Sequence, residues 1–196
     1  EGISVAILDT GFSEHPDLLE AWKLEEAVNC TSESDVNDHG SGHGVHVAGI
    51  IAGSDNDFGV VGVAPKAKCY AIRVLDNSGG GSYDTIASGL RKAIDLNVDI
   101  INMSLGAPSE PPKVIHDLIQ EAVSKGIIVV AAAGNDGHAV NYPARYDEVI
   151  AVAALDQNGS LATFTSKDFT IDIVAPGVDI YSTHLNGNYC KMSGTK

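Results

Sequence analysis

The chain has 196 residues, 44% of them hydrophobic, enough for one sizeable core and too few for two independent ones, so a single domain over residues 1–196 is expected. A formal net charge of −14 and a pI near 4.6 argue against nucleic acid and against an anionic membrane as partners, because both would be repelled. Cys30, Cys69 and Cys190 cannot all pair and show no CxxC spacing, so neither a disulfide framework nor a zinc knuckle is indicated and a reducing compartment is favoured. No apolar run reaches membrane-spanning length, and the N-terminus lacks the charged and apolar regions of a signal peptide, although a leader or pro-segment removed beforehand is compatible with this.

Ile3-Ser4-Val5-Ala6-Ile7-Leu8 is a β-prone apolar run that stops at Asp9-Thr10-Gly11, which sets a carboxylate at the C-terminal end of a buried strand. From about Ser13 to Asp38 the chain is polar and irregular and reads as surface loops. His39-Gly40-Ser41-Gly42-His43-Gly44-Val45-His46 then places histidines and glycines ahead of the small-residue run Val47–Gly53. Glycines permit a tight turn, and the small residues let a helix lie close to its neighbours, so His43 is expected at the mouth of a buried helix. An imidazole there titrates near neutral pH and, aimed by a carboxylate, serves as a general base. Space filling is the plain alternative. Zinc is disfavoured, because the histidines fall at intervals of four and three with no HExxH pattern. A dinucleotide loop is disfavoured because Val45 replaces the third glycine and no strand precedes it.

A polar loop at Asp55–Gly59 leads to Val60–Pro65 and a strand over Cys69–Leu75; Asp76–Ser82 is a glycine-rich loop. Ile86, Ala87, Leu90, Ala93 and Ile94 recur at helical spacing within Tyr83–Leu96. A buried strand over Val98–Met103 ends in Ser104-Leu105-Gly106, a helix runs through Val114–Val123, and Ile127–Ala133 forms a further strand ending at Gly134-Asn135. Two more strands are expected around Val149–Ala153 and Ile171–Ala175. Helices alternating with continuously apolar strands imply an α/β fold, a mostly parallel sheet with helices on both faces. Functional groups in such sheets collect at the C-terminal strand ends, where Asp9, Ser104–Gly106 and Asn135 all stand.

Together, Val5-Ala6-Ile7-Leu8-Asp9-Thr10-Gly11, His43-Gly44-Val45-His46-Val47-Ala48-Gly49, Asn102-Met103-Ser104-Leu105-Gly106 and Ala131-Ala132-Ala133-Gly134-Asn135 resemble the signatures of the subtilisin family of serine proteases, most closely its acidic, intracellular bacterial members. The resemblance covers nearly the whole chain and implies a three-layer fold and peptide-bond hydrolysis. It implies that Asp9 orients His43, that His43 shuttles the proton, and that Asn135 donates its amide to the oxyanion. It further implies that the backbones of Gly79, Gly80, Gly81, Ser104 and Gly106 pair with an extended polypeptide, while Leu105, Ala133 and Gly134 line side-chain pockets. It also implies a structural calcium site built from Asp17, the Asn56 side chain and the carbonyls of Ser54, Phe58 and Val60, an oxygen set suited to a hard cation.

The chain departs from the family at the nucleophile. The family's Gly-Thr-Ser-Met-Ala motif opens a long buried helix, whereas this sequence reads Met192-Ser193-Gly194-Thr195-Lys196, with lysine in the serine's place. Ser193 lies upstream of that place. Two readings follow: a protease cut or altered at its nucleophile, or an inactive relative that binds peptides. Lys196 could pair with Asp9 or donate to a bound carbonyl, and acting as nucleophile would require strong burial. Without the family's central helix, apolar surface stays in water, so the chain is expected to be unstable alone or to join a pro-segment or a complementary C-terminal chain. Val45 replaces the usual threonine, retaining β-branching but losing one hydroxyl.

Overall fold

A computed structural model describes residues 2–196. Nine strands and three α-helices follow in the order β1 (Ser4–Asp9), β2 (Val28–Asn29), α1 (His43–Ala52), β3 (Lys68–Arg73), α2 (Tyr83–Asp95), β4 (Ile100–Met103), α3 (Lys113–Ser124), β5 (Ile128–Ala132), β6 (Ile150–Leu155), β7 (Ile173–Pro176), β8 (Ile180–Thr183) and β9 (Tyr189–Met192) among the described residues. Seven strands form one sheet in the order β2-β3-β1-β4-β5-β6-β7, and every pairing in it is parallel. β8 and β9 form a separate antiparallel hairpin.

The expected three layers are present. On one face, α2 and α3 pack Leu90, Ala93, Ile94, Ile115 and Ile119 against Leu8, Ile72, Ile101 and Val129. On the other, α1 packs Val45, Ala48 and Ala52 against Val5, Ile7, Cys69 and Ala71. Alternate residues of β1 thus enter different layers, so the strand is apolar throughout. Strand order reverses between β1 and β4, a switch point that opens a crevice at the C-terminal strand ends.

One expectation needs correction, and two features add to the reading. The segment 13–38 is not merely a surface loop, because Leu18, Ala21 and Trp22 are buried with Phe12 beneath α1, and Val28–Asn29 adds an edge strand beside β3. Its anchors are spaced too irregularly to show a period. β8 and β9 went unrecognised, since their polar sequence carries no buried-strand pattern. The strand expected around Ile171–Ala175 is present as β7, at an exposed edge of the sheet with Ile173 and Val174 about half exposed and Phe169 almost wholly in water nearby in sequence.

Candidate active site

Asp9 ends β1 and is 1% exposed; its carboxylate meets Nδ1 of His43 at 2.8 and 2.9 Å. The same carboxylate accepts the Thr10 N–H at 2.7 Å. With Nδ1–H donated to Asp9, Nε2 of His43 is the free basic nitrogen, the tautomer a general base needs. His43 is the first residue of α1, entered through Gly42 at φ +70°, where a side chain would also strike the His184 ring. Burial disfavours the imidazolium, but the charge and hydrogen bond of Asp9 outweigh it, and the His43 pKa is raised above 6.5; Lys196 opposes this rise and Asp38 adds to it.

Asp38 is a functional residue that sequence reasoning missed. Buried at the end of the acidic loop, it accepts the N–H groups of Gly40, Ser41 and Gly42 at 3.0, 2.8 and 2.7 Å and the Thr10 hydroxyl at 2.5 Å. Thr10 in turn accepts the Gly44 N–H at 2.9 Å. The residue after Asp9 and the residue after His43 are therefore tied to one carboxylate. An aspartate directly ahead of a glycine-rich turn was the available signal.

Asn135 follows β5. Its Oδ1 accepts the N–H and hydroxyl of Thr195 at 2.8 and 3.0 Å, which assigns the amide and leaves Nδ2 to donate elsewhere. Thr195 is buried and its hydroxyl also accepts the Gly134 N–H at 3.1 Å, a bracing role the sequence did not disclose. His43, Gly134, Asn135, Gly194, Thr195 and Lys196 border one cavity of about 400 Å³. A second cavity, about 820 Å³, runs between Gly79–Gly81 and Ser104–Gly106 and is walled by Leu75, Met103 and Tyr142. His43 and Ser104–Gly106 border both, so the two make one continuous groove.

Ala133 does not line it. Its side chain is fully buried in the layer below and its N–H and carbonyl are engaged by Val152 and Asn141; the wall is taken by Ala132, because successive side chains of a strand point to opposite faces. Lys196 does not pair with Asp9. Its amine donates to Nδ1 of His46 at 3.1 Å, and burial lowers its pKa to about 8. Ser193 accepts the Asp179 N–H. The three clustered histidines diverge, with His39 on Asp35, His43 on Asp9 and His46 on the carbonyls of Ile180 and Cys190.

The residues expected around a cation gather at Asp17, which is fully buried. Its carboxylate accepts the Val60 N–H, the Asn56 amide and the Tyr189 hydroxyl at 2.7, 2.8 and 3.1 Å. Ser54 donates its N–H and hydroxyl to the Asp17 carbonyl, both at 2.9 Å. The Asn56 oxygen accepts the Phe58 N–H at 3.0 Å, so in this arrangement the Asp17 carboxylate meets hydrogen-bond donors.

The profile of the subtilase family (Peptidase_S8) matches residues 1–195. This chain belongs to the subtilase family. It is 44% identical to Subtilisin Savinase of Lederbergia lenta, over 99% of this chain and 71% of that protein. It is 48% identical to the Thermostable alkaline protease of Halalkalibacterium halodurans, over 99% of this chain and 53% of that one, and 41% identical to the Minor extracellular protease Epr of Bacillus subtilis, over the whole chain and 30% of that one. The subtilase chain thus spans between about a third and about two thirds of the lengths of these relatives. Membership in the family supports serine endopeptidase activity.

Proposed function

We propose that this subtilase chain supplies the polypeptide groove and the acid–base half of an endopeptidase site, with Asp9 orienting His43, His43 moving the proton and Asn135 donating to the tetrahedral oxyanion. The observation that carries this reading is the Asp9–His43 contact at 2.8 Å opening onto the same cavity as Asn135. An extended polypeptide would lie between Gly79–Gly81 and Ser104–Gly106, with its scissile carbonyl near Asn135.

Lys196 stands where the family motif carries serine. The amine is a poor nucleophile while protonated, and it is turned to His46 rather than to the proton acceptor His43. With lysine there, the chain holds peptides without forming an acyl-enzyme; this favours the binding reading for the chain as it stands. Fluorophosphonate labelling with mass mapping tests the proposal. No label is expected with Lys196, and label on residue 196 together with peptide hydrolysis is expected for Lys196→Ser. A folded Lys196→Ser variant that neither labels nor cleaves overturns it.

Calcium is proposed as a structural ion held by Asp17, Asn56 and the carbonyls of Ser54, Phe58 and Val60, where it would brace the 54–60 loop against α1. The buried Asp17 carboxylate and the oxygen character of the set support this. The proposed partners are polypeptides in the groove and a polypeptide segment, a pro-segment or a complementary C-terminal chain, covering the apolar edge at Ile173 and Val174.

A further inference from the structure

Arg73, the last residue of β3, has the largest fully buried side chain among the described residues, and the acid–base chemistry of the site makes no direct use of it. Its guanidinium donates to four oxygens on two stretches of chain. Nη1 reaches the Asp35 carbonyl at 3.1 Å and the Asn37 carbonyl, Nε the Leu75 carbonyl at 3.2 Å, and Nη2 the Asn77 side-chain oxygen at 3.0 Å. Among the described residues, Glu33 is the carboxylate within salt-bridge distance, partly exposed and 3.7 Å away. A buried charge with so distant a counter-ion is costly, and an apolar side chain of similar volume would fill the space without that cost, so packing does not account for an arginine here. The planar fork with its five N–H donors does, because it can span acceptors fixed on separate segments.

Both stretches shape the site. Asn37 precedes Asp38, whose carboxylate holds the Gly40–Gly42 turn and the Thr10 hydroxyl. The same stretch is tied to the chain just beyond Asp9, since the Phe12 N–H donates to the Val36 carbonyl at 3.0 Å and the Asp38 N–H to the Phe12 carbonyl at 2.6 Å. A Cβ on Gly11 would stand 2.3 Å from the Val36 oxygen and 3.2 Å from Arg73 Cδ, so these segments are in close contact. On the second stretch, the Asn77 side-chain oxygen also accepts the His39 N–H at 3.0 Å, and a Cβ on Gly40 would come within 2.6 Å of the Asn77 carbonyl oxygen. Asn77 stands two residues ahead of Gly79–Gly81, one edge of the groove.

We infer that Arg73 is a positioning residue for the Asp9–His43 pair, acting through the 35–40 segment, and that through Asn77 it holds the groove edge at Gly79–Gly81 in register with that pair. The inference rests on the reading proposed above, in which His43 carries the proton and Gly79–Gly81 border the groove. Fully buried, Arg73 meets no peptide itself; it keeps Asp38 against Thr10 and the glycine turn, so that His43 presents Nδ1 to Asp9. Lysine would keep the charge, but its three protons sit on one nitrogen and cannot span the same acceptors. The sign of the effect on His43 separates positioning from charge. Deleting a nearby positive charge alone favours the imidazolium, whereas loosening Asp9 and Asp38 disfavours it, because those carboxylates are what sustain it against burial and Lys196.

NMR titration of the imidazoles, and fluorescence polarisation with one apolar pentapeptide carboxamide, test this on the unmodified protein, Arg73→Lys and Asn77→Ala. In Arg73→Lys, shown to be folded by near-UV circular dichroism, the His43 titration is expected to fall by about half a pH unit and the peptide to bind at least about threefold more weakly. Asn77→Ala removes the acceptor that Arg73 and His39 share, at a partly buried position, and should move both readings the same way by less. A His43 titration that stays or rises in folded Arg73→Lys overturns the inference, even if the denaturant midpoint falls; where Arg73→Lys does not fold, the same result in Asn77→Ala overturns it. Unchanged peptide binding in both variants overturns the hold on Gly79–Gly81. Failure of the unmodified protein to bind the peptide overturns the groove reading instead, and the His43 titration then decides by itself whether Arg73 positions the pair.

Discussion

The carboxylate of Asp38 holds the Thr10 hydroxyl at 2.5 Å, and through that hydroxyl it fixes the first turn of the helix that carries His43. Asp38→Asn turns one acceptor oxygen into a donor facing backbone N–H groups, and it removes a negative charge that helps to raise the His43 pKa. The expected outcome is a loss of about 1–3 kcal/mol of stability and a lower His43 pKa by NMR titration. Thr10→Val removes one of the four donors to Asp38 and leaves the Gly44 N–H without its acceptor but keeps the charge, so it should cost similar stability and move the His43 titration less. An unchanged His43 pKa in Asp38→Asn would remove Asp38 from the electrostatics of the site.

Asp9 at the end of β1, His43 at the start of α1 and Asn135 just beyond β5 were legible as positions because apolar runs mark those element boundaries, while the roles expected of them came from the family resemblance. The helices α2 and α3 and the strands β1, β3, β4 and β5 were legible for the same reason. Asp38 and Thr195 were not. Their roles lie in hydrogen bonds between segments 28 and 60 residues apart, which no local period encodes. Phe12, Leu18, Ala21 and Trp22 escaped similarly, since they enter the core from turns rather than from a periodic face. Ala133 was misplaced by one residue, which in a strand is the difference between the groove and the layer beneath it.

Gly49 measures how closely α1 must lie against β8. A Cβ there would come within 2.4 Å of the side-chain oxygens of Thr183 and Ser182 and 3.0 Å from the Thr183 backbone nitrogen. Those hydroxyls donate to the Val45 and His46 carbonyls, so neither can retreat without breaking a buried bond. Despite the better helix propensity of alanine, Gly49→Ala is expected to destabilise the fold by about 1–3 kcal/mol, read as a shift of the denaturant midpoint. No loss would mean that α1 and β8 can separate freely.

Calcium should protect the 54–60 loop if Asp17 anchors a cation. Chelation is expected to lower the melting temperature and speed proteolysis within 54–60, and added calcium to reverse both. In Asp17→Asn the response to calcium should disappear, and the variant should also be weakened without metal because the Val60 N–H and the Tyr189 hydroxyl lose a charged acceptor. Identical melting with and without calcium in the unmodified protein would exclude the ion.

His46 gives the fold an acid limit. It is fully buried, and burial together with the neighbouring Lys196 holds its pKa at about 4, below the 6.5 of a free histidine. The unfolded chain therefore binds a proton in this range that the folded chain refuses. Its contribution is present in full above pH 6.5 and is lost as pH falls from 6.5 through about 4, by at most about 3 kcal/mol. The Asp9–His43 pair works in the other direction: the raised His43 pKa contributes stability below pH 6.5 that fades as pH rises through the folded-state value. Removing the Lys196 charge lifts one constraint on His46, so Lys196→Met should raise the His46 pKa and flatten the acid slope. Urea midpoints from pH 4 to 8, with the imidazole resonances followed in parallel, separate the two histidines. A His46 that titrates near 6.5 in the folded protein would contradict the neutral, doubly anchored ring on which this account depends.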